Sequence, residues 1–347
     1  MKTNRILLPD LLKGLAGVFM VQVHVTELFI DNAGRESLWG KISLFLGGPF
    51  AAMVFMIVMG YFIARNKKTP EENILRGIKI FILGFLLNIG LNFHLFIKIK
   101  FDGWQINPFE YMFGVDILYL AGLSIIVLSV LKFANKGREW IALLLFFIFI
   151  GLTGFMNKKL FAPETNYVFP FIAGNYTWSY FPLFPWLAYP LLGFFVAHQL
   201  ERIKTFVQQR KIVPIILVAL IAAMVVLWGN MGINTTISLP DYYHHTYRFA
   251  FWAIGLVFLW SLLLFVISDI FPESNPVVFL CWIGRNITVF FVIQWLIIGN
   301  TATAIYQTQS IGSFIYFFLS IFATTVFLTF LYERIIPKLE STPKSPK

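Results

Sequence analysis

Apolar runs of about twenty residues recur along this chain, separated by short polar or charged connections; a helix needs ~20 such residues to cross a bilayer. Sliding along the sequence, these windows predict about ten helical spans, at roughly 6–30, 42–64, 78–97, 114–133, 140–156, 179–200, 212–229, 248–268, 278–299 and 311–334. The predicted fold class is all-α: a polytopic membrane helical bundle forming one unit over 1–337, with no soluble domain. A short basic tail, 338–347, has the composition of a disordered segment. Pro49 in the second window, and Pro182, Pro185 and Pro190 in the sixth, are expected to kink or break their helices.

The polar connections alternate in character. Arg65, Lys67, Lys68, Arg76 and Lys79, then Lys132, Lys136 and Arg138, then Arg202, Lys204, Arg210 and Lys211 fall on one side, with the basic tail. By the positive-inside rule that side is cytoplasmic and holds both termini. Ser268 to Pro276, with Asp269 and Glu273 but no base, supports this orientation least. Longer connections rich in Tyr, Asn, Trp and Pro, Asn157 to Trp178 and Asn230 to Tyr247, face the other side, as a binding loop or as a solvated one. The first window has charges inside it and lacks a small-residue cleavage site, so it reads as a retained span rather than a cleaved leader.

Composition sharpens the class. Of the 347 residues 58% are hydrophobic, 13% are charged and 40 are Phe, which excludes an ordinary soluble domain and makes the lipid bilayer the first partner. A net charge of +10 suits nucleic acid in principle, but the bases sit in clusters between spans as a topology signal, so no nucleic-acid partner is expected. Cys281 is the single cysteine, and His244 and His245 are adjacent, which is poor spacing for one metal ion; no metal is expected. An oligomer is compatible with the sequence.

The first span carries the candidate chemistry. Asp10, Lys13, His24 and Glu27 lie within it, and ionisable groups in hydrocarbon need a reason. From Lys13 to His24 is about three helical turns, ~16 Å, so the two share a face, and Asp10 and Glu27 extend the same stripe. Gly14 and Gly17 beside it would admit a close approach by another helix or a ligand. Asn88, Asn92, His94, Asp116, Arg285, Asn286, Thr288 and Gln294 are further polar residues inside spans, and with the stripe they outline a polar interior passage. Arg285 reads equally as a side chain reaching back to the cytoplasmic surface. Asp241-Tyr242-Tyr243-His244-His245 offers hydrogen-bonding groups and aromatic faces that suit a sugar.

Asp10-Leu11-Leu12-Lys13-Gly14 followed by His24 resembles the opening signature of the transmembrane acyltransferase superfamily, Leu-Asp-x-x-Arg-Gly with a histidine about ten residues further on. Gly48-Pro49 through Met59-Gly60-Tyr61, Phe181-Pro182-Leu183-Phe184-Pro185-Trp186 and Trp282-Ile283-Gly284-Arg285-Asn286 resemble later segments in order. Within the superfamily the chain looks most like the heparan-alpha-glucosaminide N-acetyltransferase branch, with the acyltransferase-three branch nearly as close. Two positions depart: Lys13 replaces an arginine, and Gln294 stands where many relatives have histidine.

The resemblance implies an enzyme of a bacterial inner membrane that takes an acetyl or other short acyl group from cytoplasmic acetyl-CoA or acyl-CoA. It would deliver that group to a hydroxyl or amine of a sugar or glycan at the far face. It implies His24 as general base or transient acyl carrier, with Glu27 orienting its ring. Lys13, Arg65, Lys68, Arg76, Arg285 and Asn286 would contact the acyl-CoA, and Asp10, Asn88, Trp186, Tyr243 and His244 the acceptor. A proton-coupled transporter using the same polar stripe is the rival class, though neither an inverted repeat nor paired interrupted helices can be found. A silent membrane scaffold is a third.

Overall fold

The computed structural model describes residues 7–134, 137–157 and 166–340, side chains to 335; Lys136 and the predicted tail from 341 lie outside these. Twelve helices carry the architecture: α1 Leu8–Phe29, α2 Leu38–Gly47, α3 Val54–Arg65, α4 Pro70–Leu91, α5 Ile117–Lys132, α6 Arg138–Gly151, α7 Ala188–Gln209, α8 Ile212–Leu227, α9 Tyr247–Ile270, α10 Asn275–Arg285, α11 Ile287–Ile305 and α12 Phe314–Glu340. Among the described residues there is no strand, only the isolated bridges Ile30 to Gln309 and Val115 to Ser179. The all-α bundle is as expected. Among the described residues seven helical stretches are long and apolar enough to span a membrane, and an eighth if α8 and the following Gly229–Ile237, bent by 59°, form one broken span.

Local sequence explains the boundaries. Pro70 opens α4 behind a capping box in which Thr69 Oγ1 accepts from Glu72 N–H (3.2 Å) and Glu72 Oε2 accepts from Thr69 N–H (2.8 Å). At Pro49, which has no N–H and whose ring crowds the preceding turn, the backbone widens into a π-helical turn, Gly48–Met53, joining α2 to α3. The expected break at Pro182 to Pro190 is a short turn, Leu183–Trp186, with Phe184 off helical geometry (φ −95, ψ 115), after which α7 runs unbroken. The ninth predicted span is two helices, because Asn286 (φ −100, ψ 16) ends α10 and its N–H turns back to Trp282 O and Ile283 O.

Glycines set which helices touch. A Cβ built on Gly14 would stand 1.9 Å from Leu280 O, and one built on Gly284 would stand 1.9 Å from Asp10 O, so α1 and α10 meet backbone to backbone. The same reciprocity joins α3 to α7: Gly60 against Pro190 O at 2.0 Å, and Gly193 against Ile57 O at 1.9 Å. Of the two alternatives for Gly14 and Gly17, a helix is what they admit. This also corrects the expected passage, because α10 and the start of α11 cover the stripe between Lys13 and His24, with Ile283 and Ile287 over Gly17.

The outer surface suits lipid. No residue of α8 is buried, and Ile212, Ile215, Leu220, Val226 and Leu227 are all more than half exposed. The interior is aromatic, with Trp186, Trp252, Tyr119, Tyr189, Phe194 and Phe249 almost fully buried. This is an integral membrane protein.

One helix is short. α5, with 16 residues, spans ~24 Å against a hydrocarbon thickness of ~30 Å. The non-helical backbone before it is satisfied by a second non-helical segment: Val115 N–H donates to Trp178 O (2.7 Å), and Tyr180 and Phe181 N–H donate to Val115 O (3.1 and 2.9 Å). Irregular backbone at membrane depth is tolerable where protein covers it in this way.

Candidate active site

A cavity of about 30 Å³, room for about one water, opens where α1, the π-turn and the start of α5 converge. Its walls are His24, Glu27, Met20 and Val23 from α1, Gly47, Ala51 and Ala52 from the π-turn region, Asp116 and Ile117, then Phe181, Tyr242, Tyr243 and Phe291. His24, Glu27 and Tyr243, named from sequence, therefore meet in one place. Asp116 and Tyr242 join them.

His24 is fixed from α11. Its ring packs on Trp295 (centroids 4.1 Å apart, 31° between planes), and its Nδ1 is 3.4 Å from Nε2 of Gln294, a fully buried residue. The ring partner is thus Gln294 across the bundle rather than Glu27 one turn along α1. Glu27 is half-buried on the cavity wall, within electrostatic reach of Arg35 and Asp116. Asp116 caps α5, accepting from Ile117 N–H at 2.6 Å through Oδ1. Sequence reading had marked Asp116 only as one polar residue among several, since an acid at a helix start is accounted for by capping alone.

The end of α1 below these groups is plugged from the far end of the chain. Gln307 donates its N–H to Leu28 O (2.9 Å) and its side-chain amide to Glu27 O (3.1 Å), and accepts from Arg35 at 3.1 Å. Behind the cavity a polar knot joins α1 to α2: Gln22 Nε2 donates to Ser43 O (2.9 Å), Ser43 Oγ donates to Gln22 Oε1, and Thr26 shares a hydrogen bond with Ser43.

The loop Asp241 to His245 folds over the site. Trp186, fully buried, donates its indole N–H to Tyr243 O at 2.8 Å, so it holds the loop rather than lining the cavity. His245 is locked between Tyr189 Oη (2.7 Å from Nε2) and Tyr242 O (2.7 Å from Nδ1). The carbonyl can only accept, so Nδ1 carries the proton and Tyr189 donates to Nε2. Burial holds His245 down to about 3 and His244 to about 4, backbone hydrogen bonds opposing in both, so both rings are neutral at pH 7.

Other candidates lie elsewhere. Lys13 pairs with buried Asp10 at 3.0 Å and sits 4.8 Å above the Phe62 ring, at the opposite end of α1. Asn88 donates to Met112 O (3.2 Å) and Gly114 O (2.8 Å), tying α4 to the backbone before α5. His94 bonds Asn300, by its N–H to the side chain (2.9 Å) and through Nδ1 to the carbonyl (3.1 Å). Lys68 and Arg76 are exposed; Arg285 is exposed at the end of α10 beside half-buried Asn286; Arg65 lines a separate cavity. Asn88 in α4, Asn92 at its end and His94 just beyond it thus each bond a backbone carbonyl.

A family profile described as an acyltransferase domain matches residues 7–334, nearly the whole chain. The chain belongs to this acyltransferase family, and it is a membrane acyltransferase. Of the two branches its motifs resemble, the match supports the acyltransferase-three branch. No curated protein matches the chain.

Proposed function

We propose that the protein moves an acetyl or other short acyl group from a cytoplasmic acyl-CoA to a hydroxyl or amine of a sugar or glycan at the opposite membrane face. What carries this reading is the meeting of His24 with Glu27, Asp116 and Tyr243 in one cavity, at the end of the bundle away from the basic connections. His24 removes the acceptor's proton. The acceptor oxygen or nitrogen bonds to the thioester carbonyl, the carbon–sulfur bond breaks, and the CoA thiolate takes the proton from the imidazolium. A base needs a free lone pair on Nε2: with the amide nitrogen of Gln294 toward Nδ1, as the structure has it, Nδ1 accepts and Nε2 carries the proton, whereas turning the amide so that its unpartnered Oε1 accepts Nδ1–H opens Nε2. The same Nε2 serves a two-step route in which it carries the acyl group.

Glu27 and Asp116 accept hydrogen bonds from sugar hydroxyls in this reading, while Tyr243 and His244 offer ring faces and polar edges. Asn88 and Trp186 support those positions from behind. Lys13, held by Asp10, together with Arg65, Lys68, Arg76, Arg285 and Asn286, meets the donor on the cytoplasmic side, where both termini lie.

The experiment is calorimetric titration of the purified protein with acetyl-CoA and with free CoA, followed by a transfer assay to sugar acceptors. Saturable acetyl-CoA binding and transfer that His24→Ala abolishes support the reading. Absence of acyl-CoA binding overturns it.

A further inference from the structure

A second cavity, of about 290 Å³, opens at the other end of the bundle, lined by Ala64 and Arg65 at the end of α3, Arg138 at the start of α6, and Ala197 and His198 in α7. His198 organises it. Its Nε2 is 3.2 Å from Arg138 Nε and its Nδ1 is 2.9 Å from Phe194 O. Guanidinium nitrogens only donate and the carbonyl only accepts, so Nδ1 carries the ring proton and Nε2 receives Arg138 Nε–H. Arg138 is thereby oriented through one of its five N–H groups, and its terminal amino groups stay available in the fork that matches phosphate oxygens.

The nearest carboxylates by sequence, Glu139 in the first turn of α6 and Glu201 one turn along α7 from His198, are not paired with the pocket's arginines. Among the described residues no carboxylate lies within 4.0 Å of Arg65 or Arg138. Lys132, whose ammonium grips Ile63 O, Asn66 O and Lys68 O at 3.3, 3.1 and 3.2 Å, adds charge within electrostatic reach of Arg138. Arg138 also stands at the N-terminal end of the 14-residue α6, where the helix dipole favours an anion. Trp140, two residues on, is more than half exposed and packs against Phe195 (5.6 Å), a side chain typical of headgroup depth.

We propose that this pocket binds the phosphate group of a small ligand at the basic face of the membrane. Its volume exceeds one phosphate and falls near the lower bound, ~300 Å³, of small-molecule sites, so part of the group bearing the phosphate enters too. Two sources carry that chemistry. One is the phosphorylated end of the CoA donor, which rests on the function proposed above; the other is a phospholipid headgroup, which does not.

Both are tested on the full chain in detergent: adenosine 3′,5′-bisphosphate by calorimetry, and phosphatidylglycerol by native mass spectrometry. Wild type, Arg138→Gln, Arg65→Gln and Lys204→Gln, a basic side chain of α7 outside the pocket lining, are compared, with melting temperatures read alongside. Saturable binding of one probe is expected, weakened about tenfold by Arg138→Gln and by Arg65→Gln, as for loss of a charge-assisted hydrogen bond, and unchanged by Lys204→Gln. Should Arg138→Gln fail to fold, exposed Arg65 carries the test. Nucleotide binding assigns the aqueous source; binding of lipid alone assigns the headgroup and stands even where acetyl-CoA does not bind. Absence of binding by both probes overturns the site, as does equal weakening by Lys204→Gln.

Discussion

The Nδ1 atom of His24 and the side-chain amide of Gln294 meet at 3.4 Å across 270 residues of sequence, from helices α1 and α11. The orientation of this amide sets which ring nitrogen carries the proton. Gln294→Leu keeps similar volume but frees the ring to sample both tautomers. Turnover is expected to fall about two- to tenfold, the worth of one hydrogen bond, with the Michaelis constant for the acyl donor unchanged. Steady-state transfer kinetics decide it, and an unaltered turnover number would remove Gln294 from the mechanism.

Asp116→Asn separates folding from chemistry. Asn caps a helix as well as Asp does, so the bond to Ile117 N–H and the melting temperature should survive. The carboxylate facing His24 and Glu27 is lost, and sugar acylation should drop through a raised Michaelis constant for the acceptor. Should acceptor affinity stay the same, Asp116 is a cap and nothing more.

His24→Ala removes the base. A positioned general base contributes about 10²–10⁴-fold, so transfer should fall by at least about a hundredfold while acetyl-CoA binding persists at the other end of the bundle. Withholding the acceptor from wild type and looking for a labelled acyl-enzyme distinguishes the one-step from the two-step route.

Gly14→Ala and Gly193→Ala place a methyl where the built Cβ stands 1.9 Å from a facing carbonyl oxygen, Leu280 O or Ile57 O. Helix backbones must separate, at a cost of about 1–3 kcal/mol each. Thermal unfolding in detergent should show both variants melting earlier. Gly151→Ala, with nothing within 4 Å, should not.

Acid should loosen the loop over the cavity. His244 and His245 are held near 4 and 3 in the folded protein against ~6.5 when unfolded, so the unfolded chain binds more protons between those values. Their stabilising contribution is complete above about pH 6.5 and is lost as pH falls through the folded values. Melting temperature should drop from pH 7 to pH 5, and His245→Gln should flatten that drop; an equal drop in both would refute the assignment.

What the sequence disclosed follows from range. Apolar windows and the shared face of His24 and Glu27 are local, set by spacing along one helix. The role of Asp116 depends on Val115 pairing with Trp178 and Tyr180, and that of Gln294 on which face of α11 meets α1, neither of which periodicity carries. Gly14 read correctly as a site of close approach, yet nothing local named Leu280 as its neighbour. Asn88, Asn92 and His94 looked like passage linings because buried polarity is ambiguous between a route and a brace, and here they brace backbone.

Helix α5 connects the two ends of this chemistry. Asp116 at its first turn faces the His24 cavity, and Lys132 at its last turn stands beside Arg138 and the basic pocket. Its 16 residues measure ~24 Å. On the proposed function, the donor pocket and the His24 cavity then stand about one short helix apart, and a turn added to α5 would lengthen that path by ~5 Å without altering a reacting residue.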